Sequence, residues 1–159
     1  IIHTTSYAQV SFIVNLLSEK NRRRLIKTDP EIPRDEIIAM HRLRNVNNNI
    51  KDNSVLISPS LHTGLDLKDE QSRFQILVKV PYPSLGDRWI KKKETLDGGR
   101  WYRWQTALRI VQSCGRSVRS KDDWAKTYLL DSTFGNFFRQ NKFPRWFLEA
   151  VVTTSTPFI

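Results

Sequence analysis

The sequence predicts an α/β fold, with a mostly parallel sheet and helices on both faces. Candidate strands and helices alternate along the whole chain, which is the order that a parallel sheet requires. Compact runs such as Val55-Leu56-Ile57 are typical of buried strands. With 159 residues, 39% of them hydrophobic, the chain is long enough for one domain with its own core. We therefore expect a single domain over residues 1–159.

The first half of the chain begins with a strand–helix unit. Thr5 and Ser6 are typical helix caps, and apolar side chains then repeat with helical spacing up to position 17. Pro33 and Asp35 are typical of a second helix start. The predicted elements of this half are a strand at residues 1–4, a helix at 8–17, a strand at 23–27, a helix at 33–43 and a strand at 54–58.

Proline and glycine divide the second half. Pro81 and Pro83 cannot donate to a strand ladder, so they end a strand, and Gly98 and Gly99 separate two helices. The predicted elements of this half are a strand at residues 74–80, helices at 87–96 and 101–118, a strand at 127–131 and helices at 134–140 and 144–152.

Charge and rare residues limit the classes of function. Twenty-six Lys and Arg against 16 Asp and Glu give a net charge of +10, which favours nucleic acid first and an acidic membrane surface second. No apolar run approaches the roughly 20 residues that span a bilayer, and no secretion signal opens the chain, so we expect a soluble intracellular protein. Cys114 stands alone, which excludes an internal disulfide and a multi-cysteine site and suggests a small core residue. The three histidines lack ligand spacing, so we expect no metal site.

The most informative stretch is residues 112–119. Gln112, Arg116 and Arg119 are spaced i, i+4 and i+7, which places them on one side of a predicted helix. Two arginines directed at one point suit a phosphoryl group whose charge must be stabilised during transfer, so the spacing favours nucleotide hydrolysis. A basic helix with a solvated face is the alternative. Because glycine is costly inside a helix, we interpret Gly115 as a close-packing position.

Several segments in this order resemble the XPD/DinG family of superfamily 2 DNA helicases. His3-Thr4-Thr5-Ser6-Tyr7 is similar to motif IV, and Ser58-Pro59-Ser60 through Gly64-Leu65-Asp66-Leu67 is similar to motif V. The following segment, Phe74 to Ser84 with the ending Val80-Pro81-Tyr82-Pro83, resembles the family's strand that ends in Pro-Tyr or Pro-Phe. Gln112 to Arg119 resembles motif VI, and the Lys142-Phe143-Pro144-Arg145-Trp146 segment resembles the family's closing segment. We expect the three motifs to lie at carboxyl ends of strands.

The resemblance implies a three-layer RecA-like domain, the second lobe of a two-lobe ATP-dependent DNA helicase. The first lobe is absent from this sequence, which starts at Ile1 without methionine, so we expect a fragment of a longer protein. ATP and Mg²⁺ would be shared with that N-terminal lobe of the same chain. We expect no iron–sulfur cluster in the fragment, and no ATP hydrolysis by the fragment alone.

The resemblance also implies residue roles. Arg116 and Arg119 match arginine fingers, and Gln112 would orient the nucleotide or the attacking water. Gly64, Asp66 and Gly115 match ATP-binding or interlobe positions. The expected partner is single-stranded DNA, followed 5′ to 3′, with no membrane, in the cytoplasm or nucleoid of a prokaryote or the nucleus of a eukaryote. The expected DNA contacts are Thr4, Thr5, Ser6, Tyr7, Tyr82 and Arg88.

Alternatives remain open from the residues. Thr5 or Ser6 fits an ordinary helix cap equally well, and Asp66 fits a turn. The basic patch at residues 88–93 also fits a solvated helix face. We expect the tryptophans at positions 101, 104, 124 and 146 to be core or lobe-contact residues. A non-catalytic nucleic-acid-binding or interaction domain is the second function class, and RNA is not excluded as the track.

Overall fold

Five strands form one parallel sheet in the computed structural model, which describes residues 1–46, 53–60, 67, 71–115 and 123–153. Neighbouring strands are hydrogen-bonded in the order β2-β3-β1-β4-β5, and every pairing within the described residues is parallel. The strands are β1 (Ile2–His3), β2 (Leu25–Lys27), β3 (Val55–Ser58), β4 (Phe74–Leu77) and β5 (Lys126–Leu129).

Helices connect these strands and follow the last one. Asp87 caps the fourth helix, because its carboxylate accepts hydrogen bonds from the main-chain nitrogens of Trp89 and Ile90. None of the helices in the described part of the chain is long and apolar enough to cross a membrane. The helices are α1 (Tyr7–Leu16), α2 (Glu19–Arg22), α3 (Arg34–Val46), α4 (Arg88–Leu96), α5 (Arg100–Cys114), α6 (Phe134–Gln140) and α7 (Arg145–Ala150).

The predicted fold class is confirmed, and each predicted strand and helix is present with small changes in its ends. The four-residue helix α2 was not predicted, since a single helical turn has too few residues to show a periodic pattern. The helix predicted to run through Val118 is wrong at its end. It stops at Cys114, and Gly115 follows as the C-cap residue, with its N–H bonded to the Val111 carbonyl at 3.0 Å.

Two apolar clusters stabilise the sheet and its helices. Partners in register share a face, so Ile26 of β2 and Leu56 of β3 lie side by side, and both pack with Ile37 and Ile38 of α3. The second cluster joins α5, α6 and α7 and contains Val80, Ala107, Ile110, Phe134, Phe137, Phe143 and Phe147. Burying apolar area at about 25 cal/mol per Å² is the main favourable term for both clusters.

Candidate nucleic-acid and nucleotide interface

The residues that follow β1 form the start of α1. Ser6 is the N-cap, and its hydroxyl accepts from the main-chain nitrogen of Gln9 at 3.2 Å, while the Gln9 side chain accepts from the Thr5 nitrogen at 2.9 Å. Thr4 is buried, and its nitrogen donates to the Ser58 carbonyl at 2.9 Å. The cap interpretation of Ser6 is therefore confirmed, and Thr5, Ser6 and Tyr7 are the exposed members of this group.

A cleft of about 440 Å³ opens beside this helix start, at the carboxyl ends of β2 and β3. Parallel α/β sheets bind ligands at this edge, because connecting segments diverge there. The lining of the cleft combines polar and charged side chains with apolar ones such as Ile32 and Ile37. Its lining residues are Tyr7, Thr28, Asp29, Pro30, Glu31, Ile32, Pro33, Arg34, Ile37 and Ser60.

Hydroxyl groups link the ends of β2 and β3 beneath the cleft. Thr28 donates to the Ser58 hydroxyl at 2.7 Å, and the Ser58 and Ser60 hydroxyl oxygens are 3.2 Å apart. Thr28 was not predicted as a functional residue, although it directly follows a strand, as Thr4 does. Its position after β2 was the signal that would have identified it.

Tyr82 lies in the segment that follows β4, next to the end of β1 in the sheet order. Its ring stacks on Tyr102, with centroids 5.8 Å apart and planes 8° apart, and Phe137 meets it edge-on at 5.7 Å. The Tyr102 hydroxyl donates to the Pro83 carbonyl at 2.9 Å, which holds that pair in place. Tyr82 keeps 41% of its surface exposed, so a second ring can still reach it.

The predicted basic patch lies on helix α4. Arg88 is its first residue and is exposed, as are Lys91, Lys92 and Lys93. The Lys93 ammonium lies 5.5 Å from the Trp89 ring centroid, and Trp89 is 58% exposed. The arrangement combines cations with an aromatic face, as surfaces that bind single-stranded nucleic acid do.

The four tryptophans for which a core or lobe-contact role was predicted differ in their exposure. Trp101 is half-buried and packs edge-on against Trp89 with centroids 5.2 Å apart. The other three are more than half exposed, so a core role for them is wrong, although the Trp146 ring packs edge-on against Phe147. Their alternative role as lobe contacts stays a prediction. These three are Trp104, Trp124 and Trp146.

Gln112 and Gly115 mark the end of α5. Gln112 is exposed in the last helical turn, while Arg116 and Arg119 lie outside the described residues. The prediction that Gly115 lies inside a helix is wrong. As C-cap it has φ −79°, and a Cβ there would meet the Val111 carbonyl oxygen at an ordinary 3.4 Å, so close packing does not explain this glycine.

The chain between α5 and β5 starts and ends near the amino end of β4. Cys114 precedes this connection, and its carbonyl accepts from the Gln75 amide at 3.2 Å. Asp123 follows the connection, and its carboxylate accepts from the Arg73 guanidinium at 2.7 Å. A helix between two parallel strands runs antiparallel to them, so its last residue reaches their amino ends. The expectation that motif VI follows a strand's carboxyl end is therefore wrong.

Motif V begins at the carboxyl end of β3 and leads to β4. Gly64 and Asp66, the two residues to which we assigned roles, lie outside the described residues. Leu67 is fully buried in the first apolar cluster. Gln71 lies near the end of this connection. Its main-chain carbonyl oxygen is 2.9 Å from Nε2 of His41. The chain is thus held by Leu67 and Gln71 on the carboxyl side of the predicted Asp66 site, and β3 precedes the site.

Cys114 is half-buried against the second apolar cluster, as predicted for a small core residue. Burial raises the pKa of its thiol to about 11, so the thiolate is scarce at neutral pH. Among the described residues, no three His, Cys, Asp or Glu side chains come close enough together to hold a metal ion.

Comparison with known proteins identifies the family of this domain. Residues 1–150 match the helicase C-terminal domain. The chain belongs to the helicase C-terminal domain family. The match covers the end of β1, the cleft, α5 and α7, so it includes every segment that resembles a motif. The resemblance to the XPD/DinG type of superfamily 2 helicases is confirmed.

Relatives of this helicase C-terminal domain are longer proteins. A Fanconi anemia group J protein homolog from Gallus gallus is 30% identical over 54% of this chain and 8% of its own length. A regulator of telomere elongation helicase 1 homolog from Caenorhabditis elegans is 30% identical over 58% of this chain and 11% of its own length. The ATP-dependent DNA helicase CHL1 from Candida albicans is 30% identical over 63% and 14%, respectively.

The chain therefore aligns with 8% to 14% of the length of these relatives. A solved structure, that of S. tokodaii Xpd4, has the same fold, with a TM-score of 0.57 at 20% sequence identity. That match covers 88% of this chain and 28% of the Xpd4 chain. The fold of this helicase C-terminal domain is thus shared over nearly its whole length.

Proposed function

We propose that this domain is the second motor lobe of an ATP-dependent helicase that moves along single-stranded DNA from 5′ to 3′. The observation that supports it most is the position of the helix end: α5 ends at Cys114, directly before Gly115 and Arg116, in a domain of the helicase C-terminal family. The residues that follow carry two arginines in the family's motif VI order. Arg116 and Arg119 would stabilise charge on the γ-phosphate of ATP bound by a first lobe.

In this proposal the two ends of the sheet have different partners. Nucleic acid lies across the carboxyl ends of β1, β3 and β4, where hydroxyl groups and an aromatic ring are exposed. Thr5, Ser6 and Tyr7 donate to phosphates, Thr4 supports them from the buried side, and Tyr82 stacks on a base. Partial burial, and secondly Asp131, raise the pKa of Tyr82, so its hydroxyl also stays protonated and can donate. Arg88 adds a phosphate contact on α4.

The nucleotide half-site lies near the amino end of β4. Gln112 is exposed in the last turn of α5 and would orient ATP or the attacking water. Gly64, Asp66 and Gly115 would complete the surface towards the first lobe. ATP and Mg²⁺ would be held by that lobe, which supplies the phosphate-binding loop, and when bound they supply the phosphoryl group and its charge neutralisation. The domain alone would not hydrolyse ATP.

The experiment compares single alanine variants of Arg116 and Arg119 in the full-length protein. We expect a loss of about 10³-fold in ATP turnover, with the Kd for single-stranded DNA unchanged within about twofold. Arg145→Ala is the matched control, because it removes the same charge from an exposed arginine of α7 that pairs with Glu149 at 2.8 Å. Unwinding of substrates with a 5′ or a 3′ tail tests the direction.

The net charge of +10 favours one other function, a basic domain that binds nucleic acid without hydrolysing ATP. In that case the Arg116 and Arg119 variants would bind DNA more weakly, with a smaller dependence on salt, and ATP turnover would be spared. Competition between DNA and RNA oligonucleotides of one sequence distinguishes the two tracks. A preference for RNA would be compatible with the motor function but would make RNA the track.

A further inference from the structure

Two side chains at the start of β4 contact the chain on either side of residues 116–122, named here the arginine segment: Gln75 lies in the strand and Arg73 directly precedes it. Gln75 is fully buried, and its Nε2 lies 3.2 Å from the carbonyl oxygen of Cys114, two residues before the segment. Arg73 bonds Asp123, the residue that follows the segment, at 2.7 Å. Arg73 also donates to the Trp124 carbonyl at 3.0 Å. Cys114 and Asp123, which lie on either side of the arginine segment, are therefore both held by residues at the start of β4.

The orientation of the Gln75 amide is determined by its partners. A main-chain carbonyl only accepts, so the NH₂ group must face Cys114, and the amide oxygen then faces His3, whose Nε2 lies 3.1 Å away. The NH₂ group also lies 3.5 Å from the Thr127 hydroxyl. The carbonyl groups in the last turn of a helix lack hydrogen-bond partners within that helix. Gln75 of β4 supplies such a partner for the carbonyl of Cys114 in α5. A buried group satisfied on both sides resists displacement.

The second anchor is an ion pair with little exposure. The side chains of Arg73 and Asp123 are 21% and 2% exposed. Asp123 also accepts from the Trp124 nitrogen at 2.9 Å, and the Arg73 guanidinium lies over the Trp124 ring at 5.0 Å. The planar guanidinium of Arg73 meets a carboxylate, a carbonyl and a ring at once, so it holds Asp123 and Trp124 in place.

We propose that Gln75 and Arg73 are positioning residues that set the place of the arginine segment for ATP hydrolysis. The inference rests on the proposed function, since it assumes that Arg116 and Arg119 act on ATP. A displacement of about 1 Å of a reacting group costs up to about 10²-fold in rate, so anchors at both ends affect turnover without touching the nucleotide. No role was assigned to Gln75 or Arg73 from the sequence, although Gln75 lies in the Phe74–Ser84 segment that resembles a strand of the family.

The test uses conservative variants in the full-length protein. Gln75→Met keeps the length of the side chain and removes its hydrogen bonds to Cys114, His3 and Thr127. Arg73→Lys keeps the charge but loses the planar group. We expect kcat for DNA-stimulated ATP hydrolysis to fall about 10-fold or more for each variant, with KM for ATP and Kd for single-stranded DNA within about twofold of wild type. Phe147→Leu, which truncates a buried ring of α7, is the control for stability loss alone.

A double variant distinguishes failure of the positioning inference from failure of the proposed motor function. If Gln75 acts through the arginines, Gln75→Met added to Arg119→Ala lowers kcat no further than Arg119→Ala alone. Normal kcat in Gln75→Met and Arg73→Lys, while the arginine variants are inactive, would overturn the positioning inference and leave the motor intact. A kcat loss matched by Phe147→Leu at equal melting temperature would also overturn it. Full activity of both arginine variants would reject the proposed function itself.

Discussion

Nε2 of His41 lies 2.9 Å from the main-chain carbonyl oxygen of Gln71. Because a carbonyl only accepts, Nε2 carries the hydrogen, and Nδ1 accepts from the Ser54 hydroxyl at 2.8 Å. The ring is buried and neutral in this arrangement. Burial lowers the pKa of His41, and the hydrogen bond to Gln71 opposes that effect only in part. The histidine thus joins α3 to the segments before β3 and β4.

This arrangement predicts that acid weakens the fold through His41. Its pKa in the unfolded chain is near 6.5 and in the folded domain is lower, so the stability it confers is complete above pH 6.5 and declines as the pH falls below that value. Urea unfolding at pH 7.5, 6.5 and 5.5 should show a decline for wild type and a flatter profile for His41→Gln. Equal slopes for both proteins would contradict the prediction.

Asp131, which follows β5, should stabilise the segment that follows the neighbouring strand β4. Partial burial disfavours its charge, but hydrogen bonds from the nitrogen of Val80 and from Thr133 outweigh burial and hold the pKa of Asp131 below its ordinary 3.8. Its contribution is therefore present above pH 3.8 and is lost as the pH falls through the folded pKa.

Asp131→Ala should cost about 1–3 kcal/mol in free energy of unfolding at pH 7, because the Val80 N–H loses its acceptor. Asp29→Ala is the comparison, since that exposed carboxylate accepts a local turn hydrogen bond from the Glu31 nitrogen at 2.9 Å. It should cost about 0.5 kcal/mol or less. Equal losses, measured by urea unfolding, would argue against a special role for Asp131.

Ser6 tests whether the start of α1 both caps the helix and contacts DNA. Ser6→Asp keeps an acceptor for the Gln9 nitrogen but places a negative charge where a phosphate is proposed. We expect unchanged thermal stability and weaker binding of single-stranded DNA by fluorescence anisotropy. Ser6→Ala should lose about 1 kcal/mol of stability. Unchanged DNA affinity of Ser6→Asp would leave Ser6 as a cap alone.

Tyr82 should bind a base through its ring. Tyr82→Ala is expected to weaken single-stranded DNA binding by about 1–3 kcal/mol, the usual range for a stacked base, with the salt dependence unchanged. Tyr102→Phe is the control, because it retains the ring that supports Tyr82 and loses only the bond to Pro83. Full affinity of Tyr82→Ala for single-stranded DNA would exclude stacking there.

Arg88 should contact a phosphate rather than a base. Arg88→Ala should therefore reduce the salt slope of DNA binding by about one phosphate contact.

Cys114 should react slowly with alkylating reagents. Burial raises its pKa to about 11, so at pH 8 only about one thiol in 10³ is ionised, against about one in ten for a thiol with the ordinary value of 9.0. Mass spectrometry after iodoacetamide treatment should show slow labelling of the native protein and fast labelling in denaturant. Equally fast labelling in both conditions would show that the end of α5 opens readily.

The chemistry of single residues made the fold class and the family predictable. Apolar repeats distinguish helix from strand, and the order Gln112, Arg116, Arg119 by itself resembles motif VI. The helix end was predicted wrongly, because the apolar spacing continues to Val118 although the helix stops at Cys114. The spacing of apolar side chains indicates which residues a helix would bury, but it does not indicate where the helix ends.

The sequence by itself determined which elements form and which family the domain belongs to, since spacing and residue type act within a few residues along the chain. Only the tertiary structure decided that the connection after α5 starts and ends near the amino end of β4, and that Gln75 meets Cys114 and Arg73 meets Asp123. Those partners are 39 and 50 positions apart. Contacts over such distances depend on strand order and register, which no local pattern of residues specifies.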